Sequence, residues 1–240
     1  MQCTGELPRI AITRGDASVS LNRRKFIGGV LAVGAGGLSG CAGGVGRQSA
    51  PVGLLMADGT PVMAELMKPS PLGEKSLGSP TAPGVIIEYA SLTCPFSYKF
   101  HLDTYPRLKK ELIDTGKVRF ILREFPIGRA AGTAAIITRC APDKDYFVLF
   151  DKYLVQRTEW VSQEVRLDAI YKIAAQTGMT RQAFDACLAN KEVEEGLKAI
   201  KQRGREFGVS GTPTFFINGK KFRGVLTLDQ IKSMLVQQTA

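Results

Sequence analysis

The chain has 240 residues, 44% of them hydrophobic and 22% charged, a balance ordinary for a globular protein of one sizeable domain or two small ones. Its formal net charge of +10 is dispersed, with Arg9, Arg14, Arg23, Arg24 and Lys25 set against Glu6 and Asp16 near the start and the rest along predicted helices. No Arg-rich block or basic–aromatic interleaving argues for a nucleic-acid partner, and no period of 20 to 50 residues marks a repeat architecture.

In chain order, the first predicted element is an address. Residues 21–41 read LNRRKFIGGVLAVGAGGLSGC, with Arg23-Arg24 ahead of a weakly apolar stretch, the pattern of a twin-arginine export signal. A transmembrane anchor is the alternative, but Phe26–Gly46 contains nine glycines and makes a poor span. Leu38-Ser39-Gly40-Cys41 is similar to a bacterial lipobox, which predicts lipid attachment at Cys41 and delivery to the periplasmic side of a membrane. Residues 42–83 are rich in Pro, Gly and Ser and are expected to form a tether, with one short ordered piece at Met63–Met67.

A folded domain is expected over 84–240. Val85–Ser91 is an apolar, β-branched run suited to a buried strand. Cys94, Tyr98, His101, Tyr105, Leu108 and Leu112 then form one helical stripe over 94–115, with a kink expected at Pro106. Val118–Phe125 reads as a second strand, and Arg129–Phe207 as a block of helices. Thr214–Ile217 and Lys221–Arg223 flank Asn218-Gly219, a hairpin signal, and Leu228–Gln237 reads as a closing helix. The order is that of an α/β protein, a thioredoxin fold with a helical insertion over about 127–207.

Three residue sets resemble the DsbA-like thiol–disulfide oxidoreductase family of the thioredoxin superfamily. The first is Ser91-Leu92-Thr93-Cys94-Pro95-Phe96-Ser97, where a strand runs into a helix. A cysteine there faces unbonded N–H groups and the positive end of the helix dipole, both favourable to a thiolate. The second, Gly211-Thr212-Pro213-Thr214, resembles the family's substrate-binding cis-proline loop. The third is Glu88, which on the residues alone could face solvent from its strand; the resemblance implies a buried acid beneath the active site. Segments 105–126 and 208–219 are also similar to the family, and the resemblance covers about residues 70–238.

One position departs from the pattern. The family's site is Cys-x-x-Cys, whereas here the fourth residue of Cys94-Pro95-Phe96-Ser97 is a serine, which can neither form nor resolve a disulfide. The resemblance therefore implies exchange on exported protein substrates through one nucleophile, Cys94, with Glu88 supporting it and glutathione or another thiol resolving the mixed disulfide. This suits isomerase or reductase chemistry better than direct oxidation. No bound cofactor is expected, and one histidine with no close cysteine pair supplies no ordinary zinc set. His101, about 10 Å along the helix from Cys94, reads as a packing residue, and Trp160 as core or insertion surface.

With Cys3 lost in the signal and Cys41 lipidated, Cys94, Cys140 and Cys187 remain, a count that fits one free thiol and one pair. The resemblance implies a structural disulfide between Cys140 and Cys187; two reduced, buried thiols are the alternative. Two other functions compete. Cys94-Pro95-Phe96-Ser97-Tyr98 resembles the Ser-Pro-x-Ser-Tyr of glutathione-dependent isomerases and transferases, and a redox-silent chaperone could keep the same groove.

Overall fold

The computed structural model describes residues 63–236. Its elements are α1 (Met63–Leu66), β1 (Lys75–Leu77), β2 (Gly84–Ala90), α2 (Pro95–Asp103), α3 (Tyr105–Leu108), β3 (Val118–Glu124), α4 (Arg129–Cys140), α5 (Asp143–Val155), α6 (Arg157–Trp160), α7 (Leu167–Ala174), α8 (Arg181–Leu188), α9 (Lys191–Glu206), β4 (Thr214–Ile217), β5 (Lys220–Arg223) and α10 (Leu228–Val236). Five strands form one sheet in the order β1-β3-β2-β4-β5. Only β2 and β3 run parallel; the other pairs are antiparallel. This is a thioredoxin fold, with the helical insertion between β3 and β4.

β2 is central because it has apolar residues on both faces. Ile86 and Ala90 enter one core with Phe100, Leu108 and Phe215, while Ile87 and Tyr89 enter another with Phe207 and Phe216. A strand buried on both sides reads as a continuous apolar run rather than an alternation. The exception is Glu88, fully buried on the Ile86 face. The β4–β5 turn follows its sequence: Asn218 and Gly219 take φ values of 45° and 91°, the left-handed pair this tight turn demands.

The expected helix over 94–115 is broken. α2 ends at Asp103, α3 begins at Tyr105, and Lys109–Ile113 continues as a wider π-type turn. Pro106 cannot donate to the preceding turn and restricts the residue before it, so the interruption falls on the N-terminal side of the proline. Thr104, at the junction, donates its hydroxyl to Leu226 O at 2.8 Å.

The predicted tether over 42–83 needs correction for its described part. α1 occupies the short piece expected at 63–67, and its Leu66 is wholly buried. β1 pairs with β3 in the register Lys75↔Leu122, Ser76↔Ile121, Leu77↔Phe120. Arg123 donates to Lys68 O and to Glu74, and Arg139 donates to the carbonyls of Leu72 and Gly73. Prolines and glycines mark irregular backbone, but here arginines from the sheet and α4 satisfy that backbone and hold it down. The folded domain therefore begins before residue 84. Arg23, Arg24 and Cys41 lie outside the described residues.

Candidate active site

β2 ends at Ala90, and its backbone turns through Ser91–Thr93 into α2. Cys94 is the residue capping that helix, in extended conformation (φ −76°, ψ 122°), with Pro95 at the first helical position. Proline suits this place because its missing N–H would have no partner there. The Cys94 side chain makes no capping bond to its own helix. It is half-buried, and its Sγ donates to Thr212 O at 3.1 Å. Phe96 projects beside it, 59% exposed. Ser97 points inward and is fully buried; its Oγ accepts from the Ser91 N–H at 3.4 Å.

Short side chains hold this loop. Ser91 Oγ accepts from the Ile127 N–H at 3.1 Å, and Thr93 Oγ1 donates to Ile127 O at 3.0 Å, tying the Cys94 loop to the β3–α4 connection. From the insertion, Arg157 on α6 donates through Nη2 to Thr93 O at 3.1 Å and lies 5.7 Å from the Tyr98 ring centre. A cation is thus fixed one residue from the thiol.

Facing Cys94 is the loop Gly211-Thr212-Pro213, in which the Thr212–Pro213 bond is cis. Thr214 Oγ1 donates back to Gly211 O at 2.7 Å, and the Gly224 N–H bonds to Pro213 O at 3.0 Å. The Thr212 hydroxyl is buried with no hydrogen-bond partner.

Glu88 lies beneath, on β2. Its Oε2 is 3.0 Å from His101 Nε2, while its Oε1 has no hydrogen-bond partner. The other face of the imidazole, Nδ1, is 3.3 Å from Asp151 Oδ1 on α5, and Asp151 is 45% exposed. Burial pulls the imidazole toward neutrality, but the Glu88 charge and the hydrogen bonds to Asp151 and Glu88 outweigh it and push its pKa up to about 9. The direction of that shift favours a protonated imidazole beside the buried acid. It does pack among Phe100, Tyr105 and Phe150. The reading as a packing residue missed its partner, although Glu88 on the Ile86 face and His101 on the apolar stripe of α2 were both visible in the sequence.

Among the other expected residues, Cys140 ends α4 and Cys187 lies in α8; they form a disulfide with Cα atoms 6.1 Å apart. Trp160 is core, donating Nε1 to Tyr153 O at 2.8 Å. Among the described residues, no three His, Cys, Asp or Glu side chains gather as metal ligands, and no helix is long and apolar enough to cross a membrane. Arg157 was not singled out from the sequence; it is 64 residues from Thr93 and nothing local signals the contact.

Comparison with known proteins agrees with this geometry. A family model described as Thioredoxin matches residues 72–237. A chain named as a protein-disulfide oxidoreductase in Rickettsia bellii is 33% identical over 147 residues, which is 60% of this chain and 56% of that one. This chain thus spans only about half the length of that relative. A chain named as disulfide bond formation protein D in Bacillus anthracis is 28% identical, over 61% of this chain and 70% of that one. The crystal structure of Wolbachia pipientis alpha-DsbA1 superposes with a TM-score of 0.66 at 29% identity, covering 73% of this chain and 95% of that one.

Proposed function

The chain belongs to the DsbA-like family of the thioredoxin superfamily, and on that premise we propose that it is an exported monothiol exchange protein acting on protein disulfides through Cys94. The observation that carries this reading is the half-buried Cys94 thiol, 3.1 Å from Thr212 O beside cis Pro213, with Ser97 where a second thiol would stand. In the proposed reaction the Cys94 thiolate attacks one sulfur of a substrate disulfide. That S–S bond breaks, a mixed disulfide forms, and the other substrate sulfur leaves as thiolate. Ser97 has no sulfur with which to expel the captured chain. Release falls to an outside thiol, glutathione or a second substrate cysteine, so net isomerisation or reduction is favoured over direct oxidation. Exposed Phe96 beside the thiol suits contact with unfolded protein. Export is supported by the Arg23-Arg24 signal pattern, and membrane attachment by Cys41.

The test is capture. Incubation with a disulfide-containing unfolded protein should give a non-reducing adduct that disappears with Cys94→Ala and dissolves on adding glutathione. A correctly folded protein that forms no Cys94-dependent adduct would leave the redox-silent chaperone reading in its place.

A further inference from the structure

Five of the eleven arginines among the described residues are neutralised by a carboxylate. Arg107, Arg123, Arg139, Arg181 and Arg203 each meet a carboxylate. Six others form no ion pair among the described residues, and two of these, Arg157 and Arg223, lie against the two loops that meet at Cys94. Arg157 spends Nη2 on Thr93 O, the carbonyl immediately before the thiol, and its Nε is buried without a partner. Arg223, exposed on β5, reaches across the hairpin to Gly211: its Nη2 lies 3.7 Å from where a β-carbon on that glycine would be. Gly211 adjoins Thr212, whose carbonyl receives the Cys94 thiol and whose hydroxyl is a further buried polar group with no partner. Among the described residues, neither arginine forms an ion pair. A guanidinium carries five N–H donors in a planar fork that suits carboxylates, and one carbonyl uses only one of them.

We propose that Arg157 and Arg223 form a cationic frame around Cys94 that takes the carboxylates of a small acidic thiol of the glutathione type. The frame rests on the monothiol reading and names the group that completes it. The bound thiol, as thiolate, attacks the Cys94 sulfur of the mixed disulfide; its proton passes to solvent, and the substrate sulfur leaves as a thiolate that takes up a proton. Cys94 is then disulfide-bonded to the small thiol. A second small thiol attacks the small-thiol sulfur of that bond, releasing the Cys94 thiolate. Two small thiols are oxidised to one disulfide, and the mixed disulfide is reduced. Lysine would offer only a point charge, whereas two forks, one on each loop that meets at the sulfur, can orient a ligand carrying a carboxylate at each end.

The test is the rate at which Cys94 of the full chain is modified by three small disulfides: oxidised glutathione, neutral hydroxyethyl disulfide and cationic cystamine. Oxidised glutathione should be favoured over hydroxyethyl disulfide by roughly tenfold, the size expected of one or two charge-assisted contacts, and cystamine should be disfavoured. Arg157→Met and Arg223→Met should each lower that ratio several-fold and together remove it, while Arg157→Lys should restore part of it. Arg119→Met removes an equal charge from β3 at the far end of the sheet and should leave the ratio unchanged, separating a local frame from the general positive field. Equal rates with all three reagents, or a preference that survives the double substitution, would overturn the frame and leave the monothiol reading intact. A folded protein whose Cys94 reacts with none of them overturns both.

Discussion

His101 Nε2 on α2 and Glu88 Oε2 on β2 lie 3.0 Å apart, their side chains 4% and 0% exposed. The imidazole is held at a pKa of about 9, above the unfolded value near 6.5. A group bound more tightly to its proton in the folded state contributes stability that is complete below the unfolded pKa and lost as pH rises through the folded one. The shift corresponds to on the order of 3 kcal/mol. Stability should therefore fall between about pH 6.5 and 9, and His101→Gln should be less stable at pH 6 with a flatter profile across that window. Urea denaturation at several pH values measures this, and parallel profiles for the two proteins would contradict it.

A second pair lies on the neighbouring strand. Arg139 Nη2 and Nε donate to Glu124, which also accepts from Tyr146 Oη at 2.6 Å, and every member is buried. Arg139→Met should cost about 3–5 kcal/mol by leaving a carboxylate unpaired in the core. Arg139→Met with Glu124→Gln should recover much of it. Chemical denaturation of the single and double variants shows whether the loss lies in the unpaired charge or only in the missing contacts.

The Cys140–Cys187 disulfide closes a span of 47 residues across the helical block. In the chain-entropy model such a closure stabilises by about 4 kcal/mol. Cys140→Ser with Cys187→Ser should lower the unfolding midpoint accordingly and leave the alkylation rate of Cys94 unchanged. Free-thiol titration of protein recovered from the periplasm gives the complementary result, one reactive thiol rather than three.

Ser97 offers a gain-of-function test. It is one turn into α2 and its hydroxyl faces Ser91. Ser97→Cys restores the family pattern, and an internal disulfide with Cys94 is expected, together with oxidation of a reduced model peptide that the natural protein lacks. Mixed disulfides of the natural protein should outlive those of the variant. An inert, reduced Ser97→Cys protein of native stability would mean that the site no longer supports dithiol chemistry.

Export gives the fifth expectation. Arg23→Lys with Arg24→Lys should abolish periplasmic delivery, and Cys41→Ala should release the protein from the membrane fraction. Cell fractionation reads both.

The sheet core, the β4–β5 turn and the Cys94 helix start were legible because each rests on local chemistry: an apolar run, an Asn-Gly pair, a proline after a cysteine. β1 was not, since three residues in a Pro- and Gly-rich stretch carry no periodicity and their partners are set by β3. The break falls at Thr104, two residues ahead of the Pro106 that marks it in the sequence, because the steric effect of proline acts on the residues before it. The ionic side of the site was least legible. The Glu88–His101 pairing and the Arg157 contact join residues 13 and 64 positions apart, and only the packing of α2 on the sheet and of α6 on the loop brings them together.

The margins of the sheet differ from its middle in one respect. At one border stands β1, only three residues long; at the other stands β5, whose four residues include Lys220, Lys221 and Arg223. A short border strand and a positively charged one both resist the addition of a foreign strand. A protein proposed to handle unfolded chains meets extended, sticky backbone at every encounter. With both borders of the described sheet short or charged, such a chain gains little by zipping onto the sheet. Under the proposed function, an encounter at Cys94 would then end with the disulfide exchange rather than in a lasting added strand.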